Sequence, residues 1–159
     1  MSKFRVGQGF DIHPFSDEPD RVLVLGGVAV EGSPGLAGHS DADVIAHAVA
    51  DALLGAAGLG DLGSLFPASD PTWLSADSLH LLAIVVERVR GEGWSVANVD
   101  CSVVAETPRL APHCEAMAAN LTGVVGAPVT VKPKRAEGLG ALGRCEGIAC
   151  LAVALIEKS

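Results

Sequence analysis

The stretch that most restricts what this chain can fold into is Gly38-His39-Ser40-Asp41-Ala42-Asp43-Val44-Ile45-Ala46-His47-Ala48-Val49-Ala50-Asp51. It opens like a helix: Ser40 suits an N-cap, and Asp41 and Asp43 fall in the first turn, where carboxylates complement the helix dipole. Asp43 reads as an N3 capping residue. From Val44 onward almost every residue is Ala, Val, Ile or Leu, and the exceptions, Asp43, His47 and Asp51, stand four apart. That spacing sets them in one line along a helix. An ordinary surface helix spreads its charges over a broad wet face. Here the polar residues form one narrow stripe of metal-ligand types on an otherwise apolar helix.

The flanking segments alternate between the two regular periods. Phe4 to His13 reads as a strand with Phe4, Val6, Phe10 and Ile12 on one face and Arg5, Gly7, Gly9, Asp11 and His13 on the other. Asp11 and His13 then point the same way, ~7 Å apart along the strand. The glycines before them leave that face bare, so another group can approach closely. Val22 to Val30 predicts a short hairpin turning at Gly26-Gly27. The opening helix is expected to run to about Gly58, followed by a turn-rich loop from Gly60 to Pro71. A second helix is predicted over Ser75–Arg90, a half-wet strand over Ala97–Ala105, a third helix over Pro112–Thr122 closed by Gly123, and a strand over Val129–Lys132. The apolar run Ile148–Ile156 is compatible with helix or strand by periodicity; a buried strand is favoured. The expected fold class is α/β: one domain over residues 1–159, with helices packed on one face of a mixed sheet.

Composition narrows the function classes. A formal charge of -8 removes the basic face that a general nucleic-acid binder needs. The four cysteines, Cys101, Cys114, Cys145 and Cys150, show neither a CxxC pair nor a disulfide framework, and read as buried small hydrophobes in a reducing cytoplasm. No apolar signal segment opens the chain and no run approaches the ~18 apolar residues of a membrane span, so neither is expected. A 49% hydrophobic content in a chain rich in small residues suggests an oligomer.

Asp11 and His13 on a strand and His47 on a helix make a candidate three-ligand set. One carboxylate and two imidazoles suit catalytic zinc, and equally the facial triad of non-haem iron enzymes. Asp51, one turn past His47, is placed to orient its imidazole.

Taken together, Gly7-Gln8-Gly9-Phe10-Asp11-Ile12-His13-Pro14-Phe15, the GHSDADVIAH run at 38–47, DALLGAAGLGDLG at 51–63 and the ending GRCEGIACLAVAL resemble the 2-C-methyl-D-erythritol 2,4-cyclodiphosphate synthase family over essentially the whole chain. The resemblance implies a homotrimer with active sites between subunits, acting in the non-mevalonate route to isoprenoids. Its substrate would be 4-diphosphocytidyl-2-C-methyl-D-erythritol 2-phosphate, which closes into a cyclic diphosphate as CMP leaves. It further implies that Asp11, His13 and His47 hold zinc and that Glu137 helps hold magnesium or manganese. Two cations at a diphosphate fit the chemistry, because nucleophile and leaving group are both anionic. They also let an acidic protein handle such a ligand.

By the same resemblance His39 and Ser40 contact the methylerythritol phosphate end, with Asp11 and His13 beside it. Asp61, Leu62, Gly63, Phe66, Pro67, Ala68, Ser69 and Asp70 hold the sugar-like portion. Ala105, Thr107, Pro108, Arg109, Leu110 and Ala111 form a cytidine pocket, and Lys134, Arg135, Ala136, Glu137 and Arg144 face phosphate. Catalytic roles fall to His39 and Arg135. The chain departs from the family's usual pattern at Lys134-Arg135, where many members carry threonines, and at Ala141, where some carry an aromatic. Two other readings stand beside this one: a non-haem iron oxygenase, and a non-catalytic trimeric module binding a cytidine diphosphate or isoprenoid ligand.

Overall fold

In the computed structural model, which describes residues 2–159, the bare glycine face of the first strand is where the central helix lands. On β1 (Phe4–Pro14), an added Cβ would come within 1.9 Å of the Ala52 oxygen at Gly7 and 1.8 Å of the Ala48 oxygen at Gly9. No side chain fits there, so α1 (Val44–Ala57) lies directly against the strand backbone. Ala48, Ala52 and Ala56, one turn apart, form the helix face that closes this contact. Twelve of the fourteen residues of α1 are buried, so this is a core helix and not a surface one.

The helix starts later than the sequence suggests. Asp43 is its N-cap, accepting the N–H groups of Ile45 and Ala46 at 3.1 Å each, and Ser40 stays in the preceding loop. The same carboxylate accepts the N–H groups of Gly26 at 2.9 Å and Gly27 at 2.8 Å. These glycines form the turn between β2 (Leu23–Leu25) and β3 (Val28–Val30), with φ of 55° and 71° as a tight primed turn requires. One buried carboxylate therefore serves a helix start and a hairpin turn together, a demand that capping rules within one segment do not anticipate.

The remaining elements follow as α2 (Leu62–Leu65), α3 (Ser78–Gly91), β4 (Trp94–Val104), α4 (Cys114–Val125), β5 (Val129–Lys134), α5 (Gly140–Gly143) and β6 (Gly147–Lys158). The main sheet has the order β1-β6-β4-β5, antiparallel except for the parallel β4–β5 pair. Helices α1, α3 and α4 cover one face, as expected for a mixed sheet with helices on one side. The run ending the chain is a central strand paired on both edges, with Ile148, Cys150, Ala152, Ala154 and Ile156 buried under the helices.

α3 begins at Ser78, capped by Asp77, three residues after the expected start at Ser75, and three other boundaries also differ from expectation. α4 runs through Gly123 to a left-handed Gly126 (φ 75°), because burial of Leu121 and Val125 outweighs the glycine's preference. β5 continues through Pro133, which an edge strand tolerates. β4 begins three residues early at Trp94 and carries a bulge between Val96 and Asn98. Cys101 and Cys150 are buried as expected, but Cys145 is exposed in the turn after α5. The other face of the sheet leaves Val6, Phe10, Ile12, Leu151 and Val153 exposed.

Candidate active site

Asp11 and His13 project from the end of β1, on the glycine face, toward His47 in the first turns of α1. Their ligand atoms all lie within 4.8 Å of one another. Asp11 Oδ2 sits 2.8 Å from His47 Nδ1 and 3.1 Å from His13 Nε2. His13 Nδ1 donates its hydrogen to the Ala37 carbonyl at 2.7 Å, since a carbonyl can only accept, and Nε2 is the atom turned to Asp11. Burial opposes ionisation of Asp11, but the neighbouring His13 and His47 outweigh it and hold its carboxyl well below the usual range. Burial also works against a charged His13, and the Asp11 carboxylate more than compensates, raising it above its ordinary value. A carboxylate ringed by imidazole nitrogens is the donor set that a divalent cation takes. The residues fit a metal.

Asp51 does not orient His47. Its carboxylate accepts the Leu62 N–H at 2.8 Å and so anchors the loop past α1, with burial raising it above the usual carboxylate range. His47 is supported instead by Ser78 Oγ at 2.8 Å and Ser40 Oγ at 3.2 Å, both on Nε2.

The triad opens into a cavity of about 490 Å³ that is also lined by His39, Ser40, Asp61, Leu62, Gly63, Phe66 and Ala68. Of the remaining residues expected here, Pro67, Ser69 and Asp70 do not line it. Asp70 works from behind: its carbonyl accepts His39 Nε2–H at 3.1 Å, and its carboxylate caps Thr72 at 2.9 Å. Phe10, Trp73 and Leu81 complete the wall, Trp73 packing edge-on against Phe66 at 4.8 Å. Sequence reasoning gave Trp73 and Leu81 no role here, since neither carries a chemical signal and only the return of the chain brings them in. Arg21, also missed, braces the loop carrying His39 by donating to the Leu36, Gly38 and Ser40 carbonyls.

A second cavity of about 570 Å³ lies where β4 and β5 end. Ala105, Thr107, Pro108, Arg109, Leu110, Ala111, Lys134 and Arg135 meet there as expected, joined by Glu106 and Pro133. Glu106 accepts Arg135 Nη2 at 2.6 Å and the Ala136 N–H at 3.0 Å, so Arg135 is partnered within the chain. Ala136 and Glu137 stand outside the lining; Glu137 is exposed, with φ 55°. Arg144 is exposed and paired with Glu146 at 3.0 Å. The two cavities share no lining residue.

Fold and site together define an α/β protein with three potential metal ligands gathered at a ligand-sized cavity. Residues 4–157 match the model of the YgbB family. A 2-C-methyl-D-erythritol 2,4-cyclodiphosphate synthase of Bordetella petrii is 51% identical over 98% of this chain and 97% of its own, and one of Marinobacter nauticus is 52% identical over 96% and 97%. Among solved structures, IspF of Plasmodium falciparum in complex with CDP superposes with a TM-score of 0.86 at 30% identity, covering 100% of this chain and 99% of that one. The bifunctional IspDF of Campylobacter jejuni gives a TM-score of 0.93 at 38% identity, covering 98% of this chain and 42% of the bifunctional chain. This chain belongs to the YgbB family of 2-C-methyl-D-erythritol 2,4-cyclodiphosphate synthases. It is accordingly an enzyme of isoprenoid biosynthesis, a lyase that forms a cyclic diphosphate with release of CMP. Among the described residues no helix is long and apolar enough to cross a membrane.

Proposed function

We propose that the first cavity binds the methylerythritol 2-phosphate end of 4-diphosphocytidyl-2-C-methyl-D-erythritol 2-phosphate, and that the second takes the cytidine end. The observation that carries this reading is the convergence of Asp11, His13 and His47 within 4.8 Å in the lining of a ligand-sized cavity. Those three residues would hold zinc, which supplies positive charge beside the phosphates. An oxygen of the 2-phosphate forms a bond to the β-phosphorus while the bond from that phosphorus to the oxygen of CMP breaks. Catalysis then consists of bending an anionic chain into a ring and offsetting its charge.

The chain's own groups suit these tasks. His39, whose Nε2–H is committed to the Asp70 carbonyl, keeps Nδ1 free to accept from a polyol hydroxyl. Ser40 brings a hydroxyl to the same wall. Lys134 and Arg109 give the second cavity its phosphate donors, with Arg135 contributing from its Glu106 anchor. Glu137, exposed beside that cavity's rim segment, would bind magnesium or manganese once a diphosphate is present.

Two cavities without a common residue, and an exposed apolar strip on β1 and β6, support a homotrimer in which neighbouring subunits complete each site. A cytoplasmic location accords with four unpaired cysteines, and the -8 charge with a small-molecule rather than a nucleic-acid ligand.

Phosphorus NMR of the protein with this substrate and magnesium is expected to show the cyclic diphosphate appearing with CMP. Failure of both products at every metal loading would overturn the reading. Metal analysis of protein purified without added metal should find zinc; iron with oxygen-dependent turnover would favour an oxygenase instead.

A further inference from the structure

His47 is held from behind by groups that belong to a different helix. Ser78, the first residue of α3, is only 1% exposed. Its hydroxyl donates to Asp41 Oδ1, and its N–H donates to Asp41 Oδ2 at 3.1 Å. A carboxylate has no hydrogen to give, so the single hydroxyl hydrogen of Ser78 points at Asp41. The Ser78 oxygen, 2.8 Å from His47 Nε2, must then accept, and Nε2 carries the ring hydrogen. The other ring nitrogen, Nδ1, faces Asp11 Oδ2 at 2.8 Å, where a bound cation would take its lone pair. Helix capping does not account for this arrangement. Asp77 already serves as N-cap of α3 through Leu79 N–H, and a cap has no use for the Ser78 hydroxyl.

The relay also joins two parts of the site. Asp41 N–H donates to the Ala76 carbonyl at 3.1 Å, and Ser75 N–H to the His39 carbonyl at 2.8 Å. The loop bearing His39 and Ser40 is thus zipped to the start of α3, and Ser40 Oγ shares the His47 Nε2–H at 3.2 Å.

We propose that Asp41 and Ser78 are positioning residues that fix a hydrogen on His47 Nε2, aim Nδ1 at the candidate metal site, and tie metal affinity to the order of the His39–Ser40 loop. The metal half of this statement rests on the zinc reading above; the ring-hydrogen half does not. Partners of this kind typically change metal affinity 10–100-fold when removed.

The test uses the full chain and two readouts. Nitrogen-15 NMR of the metal-free protein should show a hydrogen on His47 Nε2 in the wild type and its partial loss in Ser78→Ala. Chelator competition should show zinc held about 10–100-fold more weakly by Ser78→Ala, with recovery in Ser78→Thr, which restores the hydroxyl. Asp41→Asn, nearly the same shape, carries the same two readouts should Ser78→Ala not fold, and both should move in the same direction. An unchanged ring form in these variants, or unchanged zinc affinity beside a wild type that binds zinc, would overturn the proposal. A wild type that binds no zinc at all would instead overturn the metal reading, leaving the ring-hydrogen result to stand or fall alone.

Discussion

The first cavity takes its polar groups from the interior of the fold, whereas the second takes them from strand ends and the segments that follow. Around the metal centre, His47 is 9% exposed and sits on a helix buried nearly all round, against strand glycines that admit no side chain. Around the second cavity, Lys134 and Arg135 are exposed, and the main internal restraint is the Glu106 carboxylate. Geometry in the first is set by packing and in the second by an ion pair. Packing tolerates little displacement, while an exposed ion pair contributes about 1 kcal/mol or less. A centre that must present fixed lone pairs to a cation needs the first kind of support; a pocket that receives a flexible nucleotide can use the second.

The largest effect should come from removing a ligand. His47→Ala is expected to abolish zinc binding and lower turnover by about a thousandfold, the several kcal/mol that a metal supplies to transition-state charge. Thermal midpoint should shift by no more than about 5 °C, since α1 is held by apolar packing. Metal analysis and calorimetry check both; retained zinc would disprove the ligand assignment.

Next in size is a test of packing against open space. Gly9→Ala should cost about 3 kcal/mol, because the new methyl group meets the backbone oxygen of Ala48 and must displace α1. Gly138→Ala, near the second cavity, has nothing within 4 Å of the added carbon and should cost about 1 kcal/mol through its positive φ alone. Urea unfolding measures both, and equal costs would dissolve the distinction between the two regions.

Smaller still, Arg135→Ala should weaken CDP binding about fivefold, close to 1 kcal/mol, while leaving zinc affinity untouched. Titration calorimetry separates the two. The least effect is one of pH. Arg135 beside Glu106 holds that carboxyl below its usual range. A lowered folded pKa means the anchor is fully present above the ordinary glutamate value of about 4.3 and is lost as pH falls through the lower folded value. The Ala136 amide resonance should therefore move only below pH of about 4.3; movement near neutrality would contradict the pairing.

Much of this was legible in the chain because its signals are local. The period-two pattern of Phe4–His13 and the apolar run of α1 mark their elements, and glycines on the strand face announce the close helix contact. The family resemblance carried by the chain's motifs named most of the residues that line the two cavities. What stayed hidden depends on chain segments far apart in sequence. Asp43 looks like one more first-turn carboxylate until the Gly26-Gly27 turn arrives to share it. Asp51 looks like the orienter of His47 because it lies one turn away, yet it serves Leu62, while the true support, Ser78, comes from 31 residues on. Glu106 shows no sign in its own motif that it anchors Arg135 from 29 residues away. Spacing along one helix says which residues share a face and nothing about what is packed against it.

The most direct test is anomalous diffraction at the zinc edge from crystals grown with zinc. The account predicts a single strong peak per chain, bound by Asp11 Oδ2, His13 Nε2 and His47 Nδ1. A peak at other residues, or one bound through His47 Nε2, would contradict it.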